Sequence, residues 1–220
     1  MKLNILQQLI FNMNSIRYKS LEFFIIFIVL PVSFALNYSV WIKLSLGFIG
    51  FVYIIYTLLK VEKEKFKIAP NLNWKLFWKE TIVKLFVIAA ITSSFVYLTD
   101  KESLFNVIIN KPKLWILILF IYSLFSVYPQ ELIYRTFFFK RYLDLFNNKS
   151  FLMFINAVVF SLGHIFFKNA LVIVLTFLGG LLFAITYNKT KSTLLVSIEH
   201  AIYGCWLFTI GMGSMLGFPT

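Results

Sequence analysis

KLWILILFIYSLFSVYPQELIYRTFFFK, residues 113–140, is the stretch whose reading decides the fold. It is apolar nearly throughout and long enough to cross about 30 Å of hydrocarbon as a helix. A membrane barrel would need segments of about ten residues alternating apolar and polar, and this run is continuously apolar. Yet it contains an amide, a carboxylate and a guanidinium, Gln130, Glu131 and Arg135. Placing these groups in hydrocarbon calls for a physical reason.

The rest of the chain reads the same way. Its 220 residues are 60% hydrophobic, 20% aromatic and only 14% charged, with mean hydropathy +0.84. A soluble domain would be roughly 45–50% apolar and about 25% charged. Seven apolar blocks lie near 21–36, 39–59, 77–98, 113–140, 151–167, 170–187 and 192–212. The fold expected is all-α, a polytopic transmembrane helical bundle of about seven helices, with the lipid bilayer as its main partner. The first twenty residues, interrupted by Gln, Asn and Arg and without a small-residue cleavage site, read as a retained amphipathic lead-in.

The net charge of +12 does not point to nucleic acid, because Lys and Arg sit mainly in short segments between the apolar blocks. With the N-terminus inside, the inner connections hold fourteen basic residues and the outer ones five, which favours a cytoplasmic N-terminus and an outer C-terminus. The inner set includes Lys60, Lys63, Lys65, Lys67, Lys75 and Lys79 around a loop that contains Pro70. The single Cys205 forms no internal disulfide.

An ionisable side chain at membrane depth costs about 2.5–3.5 kcal/mol on insertion scales, so each one is a functional candidate. In the last four blocks these polar residues are Gln130, Glu131, Arg135, His164, Glu199 and His200. Glu131 lies 17 residues before Asn148 and His164 lies 16 after it, so a hairpin turning at Asn147 and Asn148 brings both to a similar depth, about 25 Å from the turn. His200 enters eight residues after Ser192 and reads as shallower. The structural readings are a helical ion pair between Glu131 and Arg135 and histidines that bond neighbouring helices. Two imidazoles and an acid at matching depth instead favour one shared cavity. Glu199 is a further acid, or the partner of a lysine such as Lys191. Gly179–Gly180 and the Gly211, Gly213, Gly217 series read as close-packing points.

At these residues the chain resembles the CAAX protease and bacteriocin-processing (CPBP, or Abi) family of intramembrane proteases. The resemblance covers about residues 113–212, which would be the family's four-helix catalytic core, with 1–112 supplying N-terminal membrane helices and a cytoplasmic loop. The family's first motif, two glutamates and an arginine, reads QELIYR from Gln130 to Arg135. The second, Phe-x-x-x-His, reads FSLGH from Phe160 to His164, and the third, His-x-x-x-Asn or a similar small residue, reads HAIYG from His200 to Gly204. The resemblance implies His164 as a water-activating partner, His200 as an oxyanion donor, and Glu131 with Arg135 as the supporting pair. Gln130 stands where the family has its base, and an amide takes no proton at useful pH.

Three readings of the site follow. Glu131 is itself the base, re-aimed by a kink at Pro129. Or Glu131, His164 and His200 are three ligands of a divalent metal, zinc by preference, with an open position for water, as the family's description as metallopeptidases implies. Or the chain is a non-catalytic relative, a membrane scaffold or immunity factor. The reading adopted is an intramembrane endopeptidase acting on a peptide or membrane protein near the inner surface. A small-molecule transporter ranks third, since the second half does not repeat the first.

Overall fold

The computed structural model describes residues 12–65 and 72–217. The readings made for residues 1–11, for Lys67 and for Pro70 lie outside the described residues. Every regular element among the described residues is helical. Helix α1 runs through Ile16–Phe24, a π turn at Ile25–Val29 and Leu30–Phe34. It is followed by α2 (Val40–Val61), α3 (Trp74–Thr99), α4 (Pro112–Leu145), α5 (Lys149–Phe167) and α6 (Ala170–Thr190). Helix α7 is Thr193–Thr209. These seven stretches stand where the seven apolar blocks do.

Five of them, α2 to α6, are long and apolar enough to cross a membrane, the architecture of an integral membrane protein. The other two fall short for separate reasons. The start of α1 carries Arg17, Lys19 and Glu22. The 17 residues of α7 include Glu199 and His200.

The starts of α3, α5, α6 and α7 are closed by short polar side chains, which satisfy backbone amides that have no partner within the helix. Asn148 Oδ1 accepts from the Ser150 and Phe151 amides at 2.8 and 3.2 Å, so the α4–α5 turn falls where the sequence predicts it. Asn73 accepts from Leu76 at 2.9 Å, Asn169 from Leu171 at 2.9 Å, and Ser192 from Leu195 at 3.3 Å.

The chain forms two compact units that interleave along the sequence. The first comprises Met1–Lys67 and Ile133–Ala184. Its core is aromatic: buried Phe27 meets Phe138 edge-on at 5.4 Å, Tyr134 at 5.5 Å and Tyr142 at 5.8 Å. Beside it lies a buried polar knot. Arg141 donates from Nε to Glu22 at 2.8 Å, from Nη1 to Glu62 at 2.8 Å and to Asn14 at 3.1 Å, and from Nη2 to the Met13 carbonyl at 2.6 Å. The Tyr53 and Tyr142 hydroxyls also donate to Glu22. One guanidinium thus ties the segments around Glu22 and Glu62 to the end of α4. A Cβ added at Gly180 would stand 3.0 Å from the Ala157 Cα, so α5 and α6 approach closely there.

The second unit comprises Ile68–Leu132 and Ile185–Thr220. Here α7 is fastened by side-chain hydrogen bonds. Trp206 Nε1 donates to Thr92 Oγ1 and Trp115 Nε1 to Thr209 Oγ1, both at 2.9 Å. Gly211, just past α7, has φ +103°, and a Cβ there would lie 2.1 Å from the Ser103 carbonyl oxygen. Only glycine combines that backbone with that contact.

Candidate active site

The site is built on a helix that departs from α geometry. In α4 a π turn at Tyr122–Val127 precedes the α-helical turn Tyr128–Glu131, and a second π turn follows at Leu132–Phe137. Pro129 has no amide hydrogen to donate, and its ring crowds the carbonyl four residues back. The wider i→i+5 turns let the helix pass it. The π turns on either side of Tyr128–Glu131 change how many residues each turn holds around Glu131.

Glu131 is fully buried, and its Oε1 lies 2.7 Å from Nδ1 of His200, also buried, on α7. Both residues belong to the second unit. A carboxylate oxygen accepts, so Nδ1 is the protonated nitrogen, and in a neutral ring Nε2 then carries the lone pair. Sequence counting placed His200 shallower than Glu131. The 2.7 Å contact brings the two side chains level.

Gln130 points elsewhere. Its Nε2 donates to Ser126 Oγ at 2.8 Å, one turn back on the same helix. The residue at the family's base position is thus a side chain bonded to its own helix.

His164 and Arg135 belong to the first unit, where Phe160 stands between them. The Arg135 guanidinium lies over the Phe160 ring at 4.7 Å, and the Phe160 and His164 rings are 4.9 Å apart. His164 Nδ1 is 2.8 Å from the Phe160 carbonyl. A carbonyl can only accept, which fixes the same tautomer as in His200, with Nε2 as the acceptor nitrogen. Arg135, fully buried, donates from Nη1 to Asn156 Oδ1 at 2.7 Å, and Asn156 Nδ2 donates to the Tyr134 carbonyl at 2.5 Å. The structure therefore brings Glu131 to His200 in one unit and Arg135 to His164, through Phe160, in the other.

Glu199 has a lysine partner, and it is Lys84 of α3 at 2.6 Å. The Tyr203 hydroxyl donates to the same carboxyl oxygen at 2.9 Å, and Lys84 also reaches Thr186 at 3.3 Å. Gly204, the last residue of the third motif, faces Tyr122, whose Oη would stand 2.0 Å from a Cβ added at that position. Asn156, Lys84 and Tyr122 were not among the sequence candidates. Asn156 and Lys84 carry the same signal that singled out Glu131, a strongly polar side chain within an apolar block. Tyr122 carries none, since it resembles the ten other tyrosines of the chain.

Among the described residues no three His, Cys, Asp or Glu side chains are grouped to hold a metal ion. Glu131 and His200 by themselves make two donors, and a catalytic zinc site takes three from the protein.

A helical membrane protein with a buried carboxylate–imidazole pair is the class that fold and site define. Residues 112–206 match the family model described as type II CAAX prenyl endopeptidase Rce1-like. Over that segment the chain is similar to this family of endopeptidases, a match consistent with the CPBP resemblance of the three motifs. No curated protein and no solved structure matches the chain.

The Arg135–Asn156 bond generates a stability prediction. Asn156→Leu keeps the volume of the side chain but removes the acceptor of a buried guanidinium and the donor to the Tyr134 carbonyl. A hydrogen bond to a charged group contributes about 1.5–3 kcal/mol, so the thermal midpoint of the purified protein in detergent should fall by several degrees. An unchanged midpoint would show that the amide contributes nothing there.

Proposed function

We propose that the protein is an intramembrane endopeptidase whose water is activated by the Glu131–His200 pair. The observation that carries this reading is the 2.7 Å hydrogen bond between a fully buried carboxyl and a buried imidazole, on residues matching two motifs of a peptidase family. The Glu131 carboxylate holds the His200 ring with Nδ1 protonated and stabilises the imidazolium that forms when Nε2 takes a proton from water. The hydroxide adds to the scissile carbonyl carbon, and the carbonyl electron pair moves to oxygen. When the tetrahedral adduct collapses, the C–N bond breaks and the leaving amine takes the proton from Nε2. In the first unit, the bond of His164 Nδ1 to the Phe160 carbonyl leaves Nε2 as the proton-accepting nitrogen of that ring. Arg135 has a supporting role, because it acts through Asn156 and the Phe160 ring.

The matched family is named for prenylated C-terminal CAAX peptides, so a peptide with a prenylated cysteine is the substrate class to test first. The second reading is a family member without catalysis, acting as a scaffold or immunity factor. It is favoured by one observation, the amide at Gln130 bonded to Ser126.

Purified protein assayed on peptides with and without a prenylated cysteine distinguishes these readings. Glu131→Gln should lower turnover by up to about 10⁴-fold, the loss when the carboxylate that orients a general-base imidazole becomes an amide, while Gln130→Ala retains it. A wild type without activity would leave the scaffold, and equal turnover in Glu131→Gln would remove the pair from catalysis. A chelator should leave the rate unchanged. Loss on chelation with recovery on added zinc would instead support the three-ligand metal reading.

The orientation we propose has the N-terminus and the Lys60–Lys79 loop in the cytoplasm. A membrane-impermeant thiol reagent added outside should modify a cysteine placed at Ser103 and spare one placed at Lys65. The reverse pattern would overturn the orientation.

A further inference from the structure

The peptidase reading makes His200 the proton acceptor, which leaves the negatively charged oxygen of the tetrahedral adduct in need of a donor. The resemblance would look for an amide four residues after His200, but the sequence has Gly204. On a helix, residues four apart lie on one face, so position 204 stands one turn from the imidazole on the same side of α7.

That place is filled. A Cβ built on Gly204 would lie 2.0 Å from Oη of Tyr122 and 2.4 Å from both Cε1 and Cζ of its ring. The phenol of α4 therefore occupies the volume that a side chain at 204 would need, with its hydroxyl foremost. The ring is buried and locked on two sides. It meets the His200 ring edge-on at 6.0 Å, and Phe208, one further turn along α7, at 4.8 Å. The first π turn of α4 opens at Tyr122 itself, and such turns recur at functional sites.

We propose that the Tyr122 hydroxyl is a catalytic oxyanion donor of this protein, standing where the third motif lacks its amide. The glycine at 204 is the vacancy that admits it. A phenol is a donor with a single well-placed hydrogen. Held by ring packing in a site shielded from water, it needs no reorganisation when charge develops on the carbonyl oxygen. The tyrosine and the glycine form one device, because Tyr122 has no room unless residue 204 is bare.

This inference rests on the peptidase reading, and the experiment keeps the two apart. Turnover of the prenylated peptide is measured for wild type, Glu131→Gln, Tyr122→Phe, Tyr122→Ala and the double variant Tyr122→Ala with Gly204→Asn. Tyr122→Phe keeps the ring against His200 and Phe208 and removes only the hydroxyl. It should lose about 10²–10³-fold in kcat with KM nearly unchanged, the loss seen when one oxyanion donor is removed. The double variant returns an amide to the emptied space and should recover at least about tenfold over Tyr122→Ala alone, a gain that restored packing without a donor does not supply. Gly204→Ala in place of Gly204→Asn serves as that packing control. Full kcat in Tyr122→Phe, with Glu131→Gln inactive, overturns the donor role and leaves the peptidase. Full activity in Glu131→Gln removes the Glu131–His200 pair from catalysis and overturns this inference with it, and a wild type that cleaves nothing overturns the peptidase reading itself.

Discussion

A carboxylate with no exposed surface, in a segment surrounded by hydrocarbon, fixes much of what the second unit must do. Glu131 cannot stand there without a partner, because an isolated buried charge is costlier than the whole stability margin of a typical domain. His200 supplies that partner at 2.7 Å. For the contact to exist, α7 must bring a short, only partly apolar helix against α4, and α4 must turn Glu131 towards it past a proline. The π turns on either side of Tyr128–Glu131 and the tryptophan hydrogen bonds that fasten α7 are the local means to that end. The same constraint that stabilises the pair also prepares chemistry, since holding one imidazole nitrogen protonated leaves the other to accept a proton.

The two buried arginines of the first unit are each held by side chains from other parts of the chain. Arg141 lies between two carboxylates and gathers three segments of chain. Its charge is met by opposite charge, and its role is architectural. Arg135 donates to the neutral Asn156 amide and lies against the faces of Phe160 and Phe183, at 4.7 and 5.8 Å. These contacts place the guanidinium one ring away from His164, so it positions Phe160, whose carbonyl in turn fixes the imidazole.

Much of this was legible in the sequence because lipid imposes long apolar blocks whose ends are marked by caps and basic residues. Asn148 and Ser192 are helix caps in the structure at the points where the blocks predict turns. Glu131 and His200 were legible as polar residues within apolar runs. What was not legible depends on helix phase. The π turns of α4 follow no composition signal beyond Pro129, and the contact of Glu131 with His200 lies where counting residues from the turns does not put it. Tyr122 and Gly204 lie 82 positions apart and are individually unremarkable. Only the close approach of two helices makes a pair of them. Lys84 was not legible as a partner, because it lies on α3, 115 positions before Glu199.

The central claim is that Glu131 holds His200 in the tautomer with Nδ1 protonated. Nitrogen-15 NMR of histidine-labelled protein tests it directly, and with only two histidines in the chain the His164→Gln variant leaves His200 alone in the spectrum. The account predicts a protonated Nδ1 and an Nε2 with the shift of an unprotonated nitrogen, and a redistribution between the two tautomers when Glu131→Gln is added. A His200 ring protonated at Nε2, or one whose signals ignore the change at Glu131, would contradict it.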